Sequence, residues 1–173
     1  MPLPPGKPEA VLPADAEESS TGQANVFDFL KEDHEKLKVL FRELQHSEDP
    51  QQLKQFFDEL YSELTSHAIA EEEAFYPVAR QFIDSSGQAE QNYVEHAEAK
   101  QLLEEIRLLD PTSNEFNGKV RDLEGAIEQH VLEEEGMLFA KMNLNLSEQD
   151  LIQLMTQVAQ VKSRERARIA GVR

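Results

Sequence analysis

The chain has 173 residues and no cysteine, and its 34 acidic against 17 basic residues give a formal net charge of −17. That length suits one domain with a sizeable core, and the absence of thiols excludes disulfides and thiolate metal sites. The acidity argues against nucleic-acid binding, because phosphate contacts need clustered Lys and Arg.

No apolar run approaches the roughly 20 residues of a membrane span. The N-terminus has one lysine and no apolar stretch, unlike a secretory signal. These features predict a soluble, cytoplasmic protein without a membrane partner. Residues 1–24 hold most of the prolines and few large apolar side chains, and read as a disordered tail.

The rest reads as helices. The first runs from about Asn25 to His46, with Phe27, Leu30, His34, Leu37, Phe41 and Leu44 recurring at helical spacing. Asn25 can cap it, with Asp28 three residues on. The second runs from about Gln51 to Ile83 and places Leu53, Phe57, Leu60, Leu64, His67, Glu71, Ala74 and Val78 on one face. Pro77, lacking an N–H, should kink or shorten it. Ser85, Ser86 and Gly87 form a turn signal. The third helix, about Gln88 to Leu109, aligns Tyr93, His96, Lys100, Leu103 and Arg107. The fourth, about Asn114 to Met142, aligns Phe116, Val120, Leu123, Ile127, His130, Glu134, Met137 and Lys141. Ser147 with Asp150 makes a capping box for a fifth, shorter helix to about Arg168. Its inward residues are Leu151, Leu154 (or Met155) and Val158.

Short loops between long helices imply antiparallel neighbours. The expected fold is all-α: an up-down-up-down four-helix bundle over residues 25–142. An additional short C-terminal helix and a basic tail would occupy residues 143–173.

The pattern is doubled. His34 and His67-x-x-x-Glu71 return as His96 and His130-x-x-x-Glu134. His and Glu here stand on core stripes where Leu or Ile would be ordinary. An unpaired buried carboxylate is costly, and a cation would neutralise it. Four imidazoles and two carboxylates exceed what one tetrahedral zinc needs, so two metals are expected, with iron, manganese or zinc suited to these ligands. His46, at a helix end, reads as a surface residue. Asp33, Glu72, Glu95 and Glu135 are candidates to orient the imidazoles. Leu30, Leu37, Leu64, Phe75, Leu103, Ile127 and Leu138 would form the apolar surroundings. The basic run from Lys162 to Arg168 suits a helix C-terminus.

The stretches LKEDHEKLKVLF, HAIAEEEAFYP and HVLEEEGMLF, with His96 between them, resemble the hemerythrin-like (HHE cation-binding) domain family over about residues 25–142. The resemblance implies a non-haem di-iron centre in a four-helix bundle. His34, His67, His96 and His130 would then be terminal ligands. Glu71 and Glu134 would bridge two irons, with an oxo or hydroxo group completing the core. Oxygen-carrying members have His-x-x-x-His on the third helix, where this chain has Lys100. They also use a longer spacing than the four residues from His130 to Glu134. The missing imidazole implies an open metal position. Tyr93 is either an ordinary amphipathic core residue or a side chain that fills that position or hydrogen-bonds a bound oxygen species. It favours handling of O2, peroxide, NO or iron for sensing, detoxification or iron homeostasis over bulk oxygen transport. The alternatives are a catalase- or peroxidase-like di-iron enzyme, and a non-redox zinc or manganese module or purely structural bundle.

Overall fold

The computed structural model of the protein describes residues 23–82 and 88–171. The expected Ser85–Gly87 turn, residue Ile83 and most of the expected N-terminal tail lie outside the described residues. All secondary structure among the described residues is helical. The elements are α1 (Val26–His46), α2 (Pro50–Ala70), α3 (Tyr76–Ala79), α4 (Gln88–Arg107), α5 (Asn114–Glu133), α6 (Phe139–Asn143) and α7 (Glu148–Gly171). A π-turn at Glu71–Phe75 joins α2 to α3, and another at Glu134–Leu138 joins α5 to α6.

The starts of the helices follow from their capping residues. Asn25 accepts from Phe27 N at 2.9 Å while Asp28 accepts from Asn25 N at 3.0 Å, the reciprocal pair expected for α1. Asp49 accepts from Gln51 N at the start of α2, and Ser113 accepts from Phe116 N at the start of α5. Ser147 and Asp150 form the second box, at α7.

The neighbours α1 and α2, α2 and α4, α4 and α5, and α5 and α1 all touch. Each pair runs antiparallel. As numbers rise along α1 from Asp33 to Lys36, partners on α2 fall from His67 to Glu63. Likewise His34 meets Glu135 while Gln45 meets Glu124. Glu95 meets His130 while Glu105 meets Lys119. Tyr93 meets Glu72 while Glu104 meets Tyr61.

The expectation of a short fifth helix is corrected: α7 has 24 residues. It lies along α1, α2 and the first π-turn. Leu151, Leu154 and Val158 are buried as expected, and the same stripe continues into Lys162 and Glu165. The basic run from Lys162 onward adds ion pairs to this apolar docking. Arg164 reaches Glu73 at 2.8 Å and Arg166 reaches Glu63 at 2.6 Å.

The apolar core has two parts. One gathers Leu37, Phe41, Leu60, Leu103, Phe116 and Leu123. The other gathers Leu30, Phe75, Leu138, Met142, Leu151 and Val158. Each fully buried Leu or Phe contributes about 1.5–3 kcal/mol of transfer free energy. The seven residues expected as apolar surroundings all fall in these two clusters. Between the clusters lies a buried polar layer. No described helix is long and apolar enough to cross a membrane.

Candidate metal centre

The polar layer consists of His34, His67, Glu71, His96, His130 and Glu134, each buried. All six residues picked out by the doubled pattern therefore come together, one imidazole from each of four helices and one carboxylate from each π-turn. Ligand-type atoms of His34, His67 and Glu71 lie within 4.8 Å of one another, and so do those of Glu71, His96 and His130. Glu71 is shared by both groups. Glu134 stands beside the first, with Oε2 3.5 Å from His34 Nε2.

Every imidazole is held from outside by a carboxylate at Nδ1. His34 pairs with Glu135 at 2.7 Å, His67 with Asp33 at 3.2 Å, His96 with Glu72 at 3.2 Å and His130 with Glu95 at 2.8 Å. A carboxylate accepts, so Nδ1 carries a proton and Nε2 of each ring points inward. Inside, His96 Nε2 and His130 Nε2 are 3.2 Å apart, His67 Nε2 is 3.3 Å from Glu71 Oε1, and His96 Nε2 is 3.3 Å from Glu71 Oε2.

Four buried atoms in this layer have no hydrogen-bond partner: His34 Nε2, Glu71 Oε1 and both carboxylate oxygens of Glu134. Buried polar atoms are nearly always satisfied, and an orphaned carboxylate is costly. These atoms are all electron-pair donors converging on one region. A cation is the partner that satisfies them together.

The protonation pattern is consistent with that need. Burial drives the His34 imidazole down to about 4, helped by the charge of neighbouring His67. It is therefore neutral at neutral pH, with a free lone pair. Burial also pushes Glu134 well above the usual carboxylate range, and the charge of Glu71 adds to this. For Glu71, burial acts upward but is outweighed by His67, His96 and His130, and the net direction is down. For His96, burial acts downward but the hydrogen bonds it donates to the Glu71 and Glu72 carboxylates prevail, and the net direction is up.

Both π-turns carry an extra hydrogen-bond span, with Tyr76 N donating to Glu71 O and Phe139 N donating to Glu134 O. In a regular helix the residue five positions on lies about 140° around the axis. The π-turn brings it back onto the ligand face. Tyr76 is thereby set in the site. Its hydroxyl donates to Glu71 Oε2 at 3.1 Å and sits 3.2 Å from His96 Nε2 and 3.3 Å from His130 Nε2. Burial holds its hydroxyl proton on, as do the charges of Glu134 and Glu71. Phe139 occupies the matching place in the other half and stacks on His34 at 6.5 Å between ring centroids.

Of the readings open to Tyr93, the structure bears out the core residue: it packs against the second apolar cluster. Its hydroxyl donates to the backbone carbonyl of Glu72 at 3.1 Å, and its ring packs edge-on against Tyr76. Tyr76, not Tyr93, reaches the cluster, because the π-turn rotates it inward. Lys100 likewise does not face the ligand atoms: its ammonium bonds both oxygens of Glu72, at 2.7 and 2.9 Å. His46 is on the surface as expected, bonded to Arg42 O. A cleft of about 700 Å³ between α1 and α5, walled by Leu37, Phe41, Ile127 and Val131, includes His34. A smaller one of about 210 Å³ between α4 and α5 includes His96 and His130.

Comparison with known proteins gives a consistent picture. Residues 25–142 match the hemerythrin HHE cation binding domain. A protein of Nostoc sp. described as a DNA nickase is 39% identical over 162 residues, covering 94% of this chain and 46% of the relative. The chain thus spans less than half the length of that relative. An uncharacterized hemerythrin-like protein of Schizosaccharomyces pombe is 22% identical over 139 residues, covering 79% of this chain and 68% of that one. The crystal structure of a hemerythrin HHE cation binding domain-containing protein from Mycobacterium kansasii shares the fold, with a TM-score of 0.73 at 22% identity. That match covers 84% of this chain and 89% of the other.

Proposed function

The chain belongs to the hemerythrin HHE cation-binding family, and from that premise we propose that it is a di-iron protein that handles a small ligand, O2, peroxide or NO, or iron itself. His34, His67 and Glu71 would hold one iron, and Glu71, His96 and His130 the other, with Glu134 completing the site from the side of His34. We take the four long neighbours as an up-down-up-down bundle, with α7 added to one side.

The observation that carries this reading is the set of orphaned donor atoms: His34 Nε2, Glu71 Oε1 and both oxygens of Glu134, buried and converging. Bound iron would supply redox and Lewis-acid chemistry to a small ligand. The protein's own part is positioning. Asp33, Glu72, Glu95 and Glu135 fix the imidazole tautomers, and the two apolar clusters limit access of water.

The second group lacks a further imidazole, since Lys100 is engaged by Glu72. Tyr76 there offers a neutral hydroxyl within reach of a small ligand held by His96 and His130. This favours sensing, detoxification or iron handling over bulk transport. Peroxide turnover is the enzymatic alternative, and it would use the same side of the site. The nickase description of the Nostoc relative is not carried over, because less than half of that protein is matched and this chain is strongly acidic. The test is metal content and absorption of protein made in iron-replete cells, followed by exposure to peroxide and NO. Retention of zinc or manganese in preference to iron would replace the redox reading with the non-redox one.

A further inference from the structure

α7 carries a lysine on its buried stripe. Lys162 follows Leu151, Leu154 and Val158 on that face and is 6% exposed. A buried ammonium costs several kcal/mol unless it is well paired. Lys162 donates to Asp33 and to Glu63, both buried. The other oxygen of Asp33 faces His67 Nδ1 at 3.2 Å. A continuous polar chain therefore runs from the fifth helix through Asp33 to an imidazole of the central layer.

The other orienting carboxylates are less enclosed. Side-chain exposure is 9% for Asp33 but 20% for Glu72, 21% for Glu95 and 30% for Glu135. Lys100, which holds Glu72 as Lys162 holds Asp33, is 33% exposed against 8% for Lys162. Charge–charge interactions weaken with solvent screening. The Asp33 contact to His67 is thus the least screened of the four, because α7 covers it with Lys162, whereas Glu135 on His34 is the most exposed.

We propose that Lys162 is a positioning residue that, through Asp33, locks His67 and makes the His34–His67 position the tighter of two metal positions. This rests on the metal-site reading above. Orienting partners of metal-bound histidines typically change affinity by about 10–100-fold. α7 is in this sense part of the metal centre rather than an appendage to the bundle.

The test compares the full chain with Lys162→Met, Asp33→Asn and Arg166→Met. Two quantities are read: anaerobic ferrous titration, and the imidazole ¹⁵N spectrum of the metal-free protein, which reports tautomers. Wild type should take up iron in two unequal steps, with His67 protonated at Nδ1. Lys162→Met and Asp33→Asn should weaken the tighter step about 10–100-fold and spread His67 between tautomers. His96 and His130 should be unmoved. Arg166→Met removes only a contact to Glu63 and should change neither quantity. If Lys162→Met and Arg166→Met lower stability alike while both metal steps and His67 stay as in wild type, Lys162 merely docks α7 and the inference fails. Should Lys162→Met not fold, an unaltered tighter step in Asp33→Asn overturns it equally. A wild type that takes up no metal would sink the metal reading, and the His67 tautomer in the variants would then decide the positioning link alone.

Discussion

His130 Nδ1 lies 2.8 Å from Glu95 Oε2, and Glu95 is the residue before His96. Asp33, the residue before His34, holds His67 in the same way. In each helical hairpin the acid beside the first histidine orients the second. The acids after the two inward glutamates complete the set, with Glu72 on His96 and Glu135 on His34. These contacts cross between the two hairpins. Each imidazole is thus oriented by a neighbouring helix, so correct docking of the helices and correct aim of the Nε2 atoms are one event.

Glu134 gives the first prediction. Burial and the charge of Glu71 raise its folded pKa well above the ordinary 4.5. The folded metal-free protein therefore binds a proton that the unfolded chain has released, and its stability falls as pH rises above the ordinary carboxylate range. Glu134→Gln removes that cost. The metal-free variant should be more stable at neutral pH by about 1–3 kcal/mol, with the gain shrinking below pH 4.5. Metal uptake should fall at the same time. Denaturant unfolding at several pH values checks the first point and metal analysis the second.

Tyr76→Phe makes the two halves alike, since Phe139 occupies the matching position. Losing the hydroxyl bond to Glu71 should cost about 0.5–1.5 kcal/mol. Metal content should stay unchanged, while NO affinity or peroxide turnover shifts by several-fold. Stopped-flow absorption reads this directly. Identical kinetics in the two proteins would remove Tyr76 from any role at the site.

Asp33 and Glu63 set an acid limit for α7. For both, burial acts upward, but His67 and Lys162 outweigh it at Asp33, and Lys162 and Lys36 outweigh it at Glu63. Their folded values lie below the usual 3.8 and 4.5. The stabilisation is thus complete above about pH 4.5 and is lost as pH falls through the lowered values. Hydrogen exchange on the metal-free protein should show protection in α7 dropping before that of α5 on acidification.

Leu103→Ala separates scaffold from site. Leu103 is fully buried in the cluster below the polar layer. The change should cost about 2–5 kcal/mol while metal stoichiometry per folded chain is kept. Loss of metal from the folded variant would mean that the layer depends on core packing more finely than the contacts imply.

Much of this centre was legible in the sequence, because a 3.6-residue period places every residue of one stripe on one face. That period was enough to bring His34, His67, Glu71, His96, His130 and Glu134 inward. The caps at Asn25 and Ser147 are local chemistry and could be read directly. Asp33, Glu72, Glu95 and Glu135 could be named as orienting acids, but their crosswise partners depend on helix rotation and docking. Tyr76 was missed because the regular period turns it away from Glu71. Its signal is the aromatic five residues after each inward glutamate, Tyr76 and Phe139. The π-turns themselves owe nothing to one special residue. Pro77 follows only the first, and Gly136 lies only in the second. Within the basic run Lys162 looks like a helix-end charge. Its spacing from Leu151, Leu154 and Val158 already placed it on the buried stripe.

The most direct test of the central claim is metal stoichiometry of protein expressed in iron-replete cells, measured together with its absorption spectrum in air. The account predicts two irons per chain and near-ultraviolet charge-transfer absorption, both reduced in His67→Ala and in His130→Ala. Background metal only, with an unfolding transition unmoved by added iron, manganese or zinc, would contradict it.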